Sequence, residues 1–396
     1  MLDENANSLK RARLAVISAF IINGFMMGTF VSRIPDIKIV LKLTNAEIGF
    51  SLLFISAGVF LSLRPAGKLS AYFGSRIVTN ASYFFMVGSL VVLAHVSSVW
   101  TFRLALFLFG WVNATHDVAM NAHGVYVEQA MKRRTMGFFH ACWSIGTLLG
   151  GLLGGLCSQN DVSFTSQELI VSLIISLVAI VCRSLFLSAE VDRERRATSE
   201  KTESASKKKN HGRTLWIFGF FGLCAALSEG AAGDWGGVLA RETFNGTPFL
   251  ATLPYIVFTF TMVVGRISGD YFATHYGVGR SIRWGGLLAG TGLLIGLVIG
   301  GIPAIVFAWF CLGLGLSVVI PLIFSSAGEL ATQQYKGEIS AAEAIAHVSG
   351  TSYFGFVIGP PLIGLLSEVV SLRWALLLLV LLTLTLTRAG RVVNAH

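Results

Sequence analysis

The stretch that decides the fold is Gly67-Lys68-Leu69-Ser70-Ala71-Tyr72-Phe73-Gly74-Ser75-Arg76, which lies between two apolar runs. A related stretch, Gly265-Arg266-Ile267-Ser268-Gly269-Asp270, also lies between two apolar runs and continues to Gly277. The first glycines of the two stretches are 198 residues apart, which is half of the 396-residue chain. Weak symmetry between two apolar halves is typical of membrane proteins built from internal repeats. We therefore expect a duplicated membrane fold.

The composition excludes an ordinary soluble domain. Hydrophobic residues make up 54% of the chain and charged residues 13%, whereas a soluble domain carries roughly 25% charged residues. The net charge of +9 does not indicate a nucleic-acid partner, because the basic residues lie in short loops, where they orient a membrane chain. The five cysteines lie singly inside apolar runs, so we expect no disulfide framework.

Twelve apolar runs are long enough to cross a bilayer, since about 20 apolar residues span its hydrocarbon core as a helix. They lie at 13–33, 46–66, 77–97, 99–121, 136–158, 168–188, 214–240, 249–269, 281–301, 303–327, 340–366 and 372–392. The predicted fold is all-α and integral to the membrane, with about twelve transmembrane helices in two pseudo-symmetric six-helix bundles. The predicted domains are residues 1–188 and 214–396, joined by a polar, charged cytoplasmic linker at 189–213.

The distribution of lysine and arginine predicts the orientation. If both termini are cytoplasmic, the outer side keeps six of the 30 basic residues, namely Arg33, Lys38, Lys42, Arg103, Arg241 and Arg373. Cytoplasmic loops of membrane proteins carry an excess of these residues. We therefore expect a multi-pass protein of the inner (plasma) membrane, embedded in lipid, with both termini inside.

The duplicated loop resembles the signature of the major facilitator superfamily, and this resemblance covers essentially the whole chain. The positions that carry it are Gly67, Gly74, Arg76, Gly265, Arg266 and Asp270. The resemblance implies a cytoplasmic gate loop that latches the two halves through charge-assisted bonds. It also implies a weaker latch in the first half, because the family usually has Asp where this chain has Ala71. Family members are monomers by default, so we expect a monomer.

Four further motifs resemble a bacterial inner-membrane subgroup of this family, the MosC-like proteins of a rhizopine locus. They are Ser32-Arg33-Ile34-Pro35-Asp36, Asp117-Val118-Ala119-Met120-Asn121, His140-Ala141-Cys142-Trp143-Ser144-Ile145-Gly146 and Glu229-Gly230-Ala231-Ala232-Gly233-Asp234-Trp235. The second motif is also similar to the fourth helix of fucose–proton symporters. These resemblances imply a small polar solute, such as a sugar, an inositol or a rhizopine-like compound.

Polar side chains inside apolar runs are the candidate site residues, because a charge in the bilayer costs about 2.5–3.5 kcal/mol on insertion scales. Asn113, Asp117 and Asn121 follow i, i+4 spacing in the fourth run, which puts them on one helix face. A carboxylate flanked by two amides suits a solute hydroxyl or a proton. A hydrogen-bond ladder that holds two helices together is the alternative interpretation.

The seventh run contains two further acids, Glu229 and Asp234. Their spacing of five puts them about 140° apart around a helix, so they do not form a carboxylate pair. Glu229 lies deeper and is the favoured proton site. Asp234 suits a cap or an ion pair near the outer mouth.

His140, His347 and Asn23 complete the candidates. The two histidines begin the fifth and eleventh runs, where they suit proton relays near neutral pH or hydrogen bonds between helices. Asn23 lies in the middle of the first run and suits solute contact or interhelical bonding equally. Arg33 marks the outer end of that run, where a structural or gating role is favoured.

Enzymatic chemistry has little support. The chain has no Gly-x-x-x-x-Gly-Lys-Ser/Thr, His-Glu-x-x-His or Gly-x-Ser-x-Gly motif, so we expect no enzyme, no cofactor and no metal site. The leading hypothesis is a secondary active transporter that couples a small solute to protons, with Asp117 and Glu229 in the coupling or binding roles. Export of a drug or metabolite is the alternative, and a non-transporting membrane sensor is a third.

Overall fold

The computed structural model describes residues 2–132, 135–187, 213–333 and 341–394, which are almost wholly helical and include no strand. The helices before the predicted linker are α1 (Leu2–Val31), α2 (Ile34–Val40), α3 (Asn45–Phe73), α4 (Ser75–Ala94), α5 (Val99–Met131), α6 (Met136–Gln159) and α7 (Phe164–Cys182). Those after it are α8 (Arg213–Val238), α9 (Pro248–Tyr276), α10 (Val278–Ile299), α11 (Ile302–Leu316), α12 (Val319–Gln333), α13 (Ala341–Val370), α14 (Leu372–Ala375) and α15 (Leu377–Asn394). The predicted linker, apart from Arg213, lies outside the described residues.

The described chain divides into two compact units. The first contains the residues up to Leu41 and those from Phe54 to the end of the described first half. The second contains Lys42–Leu53 and the described second half. The start of α3 belongs to the second unit because the Ala46 N–H donates to Glu368 Oε1 in α13, at 3.0 Å. The domain division at residues 188 and 214 stays a prediction.

Each unit pairs its helices in the same way. In the first unit α1 packs along α6, and in the second α8 packs along α13. Likewise, α4 contacts both α5 and α7, while α10 contacts both α11 and α15. The repeat that is visible in the two glycine-containing loops therefore extends to helix packing inside each unit.

Glycines allow these helices to approach closely. A Cβ atom at Gly24 of α1 would lie 2.1 Å from the Trp143 carbonyl oxygen of α6. In the second unit, a Cβ atom at Gly355 of α13 would lie 2.5 Å from the Leu223 carbonyl oxygen of α8. Helix association in lipid relies on van der Waals contact, so small residues at the interface stabilise both pairs.

Eleven described helical segments are long and apolar enough to cross a membrane. Helix α5 has 33 residues but is not among them, because several polar side chains lower its hydropathy. These are Asn113, His116, Asp117, Asn121 and His123. With α5, the described spans make the twelve that the sequence predicts. Because polar groups in the bilayer are costly and mark function, we expect α5 to contribute to a functional site.

Hydropathy does not predict two local features. The short helix α2 follows α1 directly and has Pro35 in its first turn, where the missing N–H of proline costs nothing. The tenth apolar run is broken between α11 and α12 at Ser317 and Val318. Pro321 accounts for this break, because its ring clashes with the carbonyl group four residues earlier, at Ser317.

Candidate functional site

A buried polar cluster joins α1, α5 and α6 inside the first unit. Asn23 Nδ2 donates to the Asn113 carbonyl oxygen at 3.2 Å and lies 3.2 Å from His116 Nδ1. The Trp143 indole N–H donates to Asn23 Oδ1 at 2.9 Å. Asn23 and His116 are 1% and 0% exposed. We call these four residues the Asn23 cluster.

The hydrogen bonds of the Asn23 cluster assign its donors and acceptors. An indole N–H only donates, so the Asn23 atom that faces Trp143 is the oxygen, and the amide nitrogen faces His116. His116 Nδ1 is then an acceptor, which puts the ring proton on Nε2. This Nε2, the Asn113 amide nitrogen and the Tyr83 hydroxyl are buried without a hydrogen-bond partner among the described residues. Because such atoms are costly to bury, they suit a polar ligand or water.

Asp117 pairs with Asn121 on another side of α5. Asn121 Nδ2 donates to the Asp117 carbonyl oxygen at 2.8 Å and to Asp117 Oδ1 at 3.1 Å. Both side chains are partly exposed. Asp117 follows His116 directly, so the two side chains point about 100° apart around the helix. Of the three residues predicted to share a face, two meet here, and Asn113 belongs to the Asn23 cluster.

In the second unit, Glu229 of α8 forms an ion pair with Arg266 of α9. Glu229 Oε1 lies 3.1 Å from Arg266 Nη2, and their side chains are 19% and 39% exposed. The sequence predicts these residues as a proton site and a gate residue, respectively, and the structure brings them together. Asp234 lies further along α8 and is partly buried beside the fully buried Trp235.

The two candidate histidines occupy corresponding helices, α6 and α13. The exposed His140 ring lies edge-on to Phe20, with 5.3 Å between ring centroids. The half-buried His347 ring lies edge-on to Trp216, at 4.4 Å. Each ring thus makes an edge-on aromatic contact, and neither belongs to the Asn23 cluster.

The two signature loops make the same backbone turn at their last glycine. Gly74 has φ 90° and ψ 147°, and Gly277 has φ 87° and ψ 149°. A positive φ of this size favours glycine, which explains why both positions carry it. The second loop has five more residues between its first and last glycines, so the structural repeat aligns the last glycines rather than Gly67 with Gly265. Gly67 itself is exposed, and the Asp270 side chain lies outside the described part.

A buried histidine ties the first loop to the rest of its unit. His123 Nδ1 lies 2.8 Å from Ser75 Oγ, and His123 Nε2 accepts the Leu187 N–H at 3.1 Å. The ring is 0% exposed, and the half-buried Arg76 lies within electrostatic range of it. His123 therefore joins the start of α4, the C-terminal third of α5 and the segment that follows α7.

Four fully buried histidine, amide or carboxyl side chains in the described residues are absent from the sequence-based candidates: His116, His123, Gln167 and Glu168. His116 is visible in the sequence only as the neighbour of Asp117, and Glu168 stands at the edge of an apolar run, where an acid looks like a boundary. The usable signal is a polar side chain inside a membrane helix, whatever its neighbours. Among the described residues, no group of three or more His, Cys, Asp or Glu side chains could hold a metal ion.

Comparison with known proteins matches residues 16–342 to the family model described as Major Facilitator Superfamily. The chain is 30% identical to membrane protein MosC of Rhizobium meliloti over 366 residues, which cover 92% of this chain and 86% of that protein. It is also 30% identical to the uncharacterized transporter y4wD of Sinorhizobium fredii, over 90% of this chain and 92% of that protein. The crystal structure of nucleoside transporter NupG superposes with a TM-score of 0.76 at 12% identity, covering 97% of this chain and 99% of that one. The predicted family resemblance and all-helical membrane fold are confirmed.

Proposed function

Because this chain belongs to the major facilitator superfamily, we propose that it is a secondary active transporter that moves a small polar solute by alternating access, coupled to protons. The family itself establishes a multi-pass membrane transporter of small molecules rather than an enzyme. The solute class, the coupling ion and the residues that serve them are the content of the proposal. We place the protein in the bacterial inner membrane with cytoplasmic termini because of its basic-residue distribution, and we propose a monomer because that is the default state in the family.

The observation that carries the proposal is the set of unpartnered polar atoms at the Asn23 cluster. His116 Nε2–H and the Asn113 amide are donors, and the Tyr83 hydroxyl both donates and accepts. The Tyr83 and His116 rings lie 4.9 Å apart, so these groups are neighbours. A hydroxyl-rich solute, such as a sugar or an inositol derivative, matches donors and acceptors that are all uncharged. The half-buried Trp143 adds an aromatic face on which such a ring can stack.

Proton coupling is assigned to two acids: Asp117, next to His116 of the Asn23 cluster, and Glu229, which pairs with the gate-loop residue Arg266. Asp117 presents a partly exposed carboxylate held by one amide, a geometry in which protonation removes a charge without breaking the helix. Glu229 is paired with Arg266, so protonation of Glu229 would release the arginine. Asp234, His140 and His347 are assigned as secondary relay positions, and Gly67, Gly74, Arg76, Gly265 and Asp270 as the cytoplasmic gate loop with Arg266.

The test is proton movement driven by solute in liposomes that contain purified protein and an internal pH-sensitive dye. Sugars, inositols and amines are screened one at a time. A proton signal that appears with one solute class, and disappears in Asp117→Asn or Glu229→Gln, is expected. Glu47→Gln is the matched control, because Glu47 caps α3 by accepting the Thr44 N–H at 2.9 Å and glutamine can keep that bond.

Two results would overturn parts of the proposal. A proton signal that survives in both acid variants would remove Asp117 and Glu229 from coupling. Solute entry without any proton movement, in protein shown to be folded, would replace coupled transport with facilitated diffusion or with another ion. In whole cells, a deletion strain that accumulates the solute would indicate export, whereas a strain that loses uptake would indicate import.

A further inference from the structure

A second buried polar cluster lies where the end of α1, the short α2 and the start of α7 meet. Arg33 Nε lies 2.7 Å from Asp36 Oδ2, with side chains 5% and 20% exposed. Arg33 Nη1 donates to Gln167 Oε1 at 2.9 Å, and Nη2 donates to the Val162 carbonyl oxygen at 3.0 Å. Gln167 Nε2 in turn donates to Glu168 Oε1 at 3.1 Å. We call Arg33, Asp36, Gln167 and Glu168 the Arg33 cluster.

The two carboxyl groups of the Arg33 cluster have unequal surroundings. Asp36 contacts the guanidinium directly and also accepts the Ser158 hydroxyl at 2.5 Å. Glu168 is 0% exposed, and its Oε2 is buried without a hydrogen-bond partner among the described residues. Arg33 Nη1 and Nη2 donate to acceptors other than Glu168, and Nε forms its ion pair with Asp36. The arginine therefore contacts the Asp36 carboxylate directly, whereas the described hydrogen bond of Glu168 comes from the neutral amide of Gln167.

Other titratable groups at this end of the unit are few. Helix α6 contributes the Cys157 thiol, which lies within electrostatic range of both Arg33 and Glu168. Helix α2 contributes the buried Lys38 in addition to Asp36. Helix α4, whose last carbonyl accepts the Thr165 hydroxyl of α7, is followed by the exposed His95. The guanidinium itself contacts one carboxyl group, that of Asp36, and otherwise neutral oxygen acceptors.

We propose that the Arg33 cluster is a proton-exchange site, in which Asp36 and Glu168 share one arginine and one proton. In the observed arrangement Asp36 is the ionised partner of Arg33, and Glu168 holds the proton on its carboxyl group. A fully buried carboxylate without a contacting cation is strongly disfavoured, whereas a neutral carboxyl group with one amide contact is not. The ligand of this site is the proton itself.

The exchange balances in charge and in protons. When the more exposed Asp36 takes a proton from solution, Arg33 loses its ionic partner and turns towards Glu168, which Gln167 already links to it. Glu168 then releases its proton to the solution and becomes the carboxylate that the arginine compensates. One proton is bound and one is released, and the net charge of the cluster stays the same. The role of this step in transport rests on the proposed proton coupling, but the existence of the site does not.

Infrared spectroscopy of the purified full-length chain tests the site without any solute. A protonated carboxyl group has a C=O stretch distinct from that of a carboxylate, and a difference spectrum between variants isolates the contribution of one residue. We expect the wild-type chain at neutral pH to show a protonated-carboxyl band that Glu168→Gln loses and Glu47→Gln keeps. Asp36→Asn is the sharper variant: it frees Arg33 to pair with Glu168, so the same band should also be lost although Glu168 is intact.

The outcomes separate the proposal from its alternatives. An unchanged band in Glu168→Gln means that Glu168 is ionised in the wild type, and the proposal fails. A band lost in Glu168→Gln but kept in Asp36→Asn means that Glu168 is a structural hydrogen-bonding group that does not share the arginine, and the proposal also fails. If Glu168→Gln cannot be recovered folded, the Asp36→Asn spectrum decides alone. Infrared results as expected, combined with no proton signal in liposomes, would keep the site and reject coupled transport.

Discussion

Alanine at Gly24 should separate α1 from α6 at the level of the Asn23 cluster. Its Cβ atom would lie 2.1 Å from the Trp143 carbonyl oxygen and 3.0 Å from the Thr147 nitrogen, whereas ordinary contact begins at 3.4 Å. The two backbones must therefore move apart by about 1.3 Å, with no flexible side chain to absorb the change. Overpacking costs typically ~1–3 kcal/mol, and a purely backbone clash belongs at the upper end. Alanine regains up to ~1 kcal/mol of helix propensity, which leaves a net loss of ~2 kcal/mol.

Thermal unfolding in detergent measures this loss. A thiol-reactive fluorogenic dye reports unfolding, because four of the five cysteines are buried. For a unit of roughly this size, ~2 kcal/mol corresponds to a fall in Tm of ~4–8 °C. The control is Gly88→Ala in α4, where an added Cβ meets nothing within 4 Å and Tm should stay level or rise slightly. Equal Tm values for the two variants would refute the packing argument.

Three further predictions concern hydrogen bonds and a strained turn. Trp143→Phe keeps an aromatic ring but removes the indole N–H that Asn23 Oδ1 accepts. At ~0.6–1.7 kcal/mol per interhelical bond, the half-saturating solute concentration in liposomes should rise about 3–20-fold. Gly277→Ala should lower Tm, because a non-glycine residue at φ 87° costs ~1–3 kcal/mol in backbone strain. Steric clash does not contribute, since the added Cβ meets nothing within 4 Å. An unchanged Tm would contradict the strain argument. His123→Phe should leave the Leu187 N–H unsatisfied, at ~1–3 kcal/mol, so hydrogen–deuterium exchange of that amide should accelerate about 5–150-fold.

The helices are predictable because the bilayer offers the chain few alternatives. Backbone groups in hydrocarbon must bond within a helix or a closed barrel, so a run of about 20 apolar residues is enough to identify a span. The ends of the helices are harder to predict, because a helix can continue into water, where its residues are no longer apolar. The fourth run ends near residue 121 in hydropathy, yet α5 continues to Met131. Helix α9 behaves alike: the eighth apolar run ends near residue 269, yet the helix continues to Tyr276 and stops at the positive φ of Gly277.

The faces of polar side chains are less predictable, because spacing gives only an approximate direction. Residues four apart on an α-helix differ by about 40°, so Asn113 and Asn121 differ by about 80°. Over that angle the contacts change: Asn121 stays with Asp117, whereas Asn113 meets Asn23 through its backbone carbonyl oxygen. The direction in which the side chains diverge depends on where α1 packs, and no local pattern in α5 contains that information.

Contacts between residues that are far apart in the chain cannot be predicted from local patterns for the same reason. Glu229 and Arg266 are 37 residues apart, and they meet because α8 packs on α9. Their residue types suggest function separately, one as an intramembrane acid and the other as part of a loop signature. Only the packing of the second unit shows that the acid has a cation beside it, which changes its expected behaviour from that of an isolated proton site to that of half an ion pair.

The two repeats share their helix pairing but differ in the polar groups they carry, and this difference bears on the proposed mechanism. The Asn23 cluster contains no carboxylate and no lysine or arginine, so its hydrogen bonds suit the binding of an uncharged solute. The Glu229–Arg266 pair depends on ionisation, so a proton can break it and a solute hydroxyl cannot. Variants of the first set should therefore change the solute concentration needed for transport, and variants of the second should change the number of protons moved per solute. A Glu229→Gln chain with normal stoichiometry and weakened solute binding would reverse this assignment.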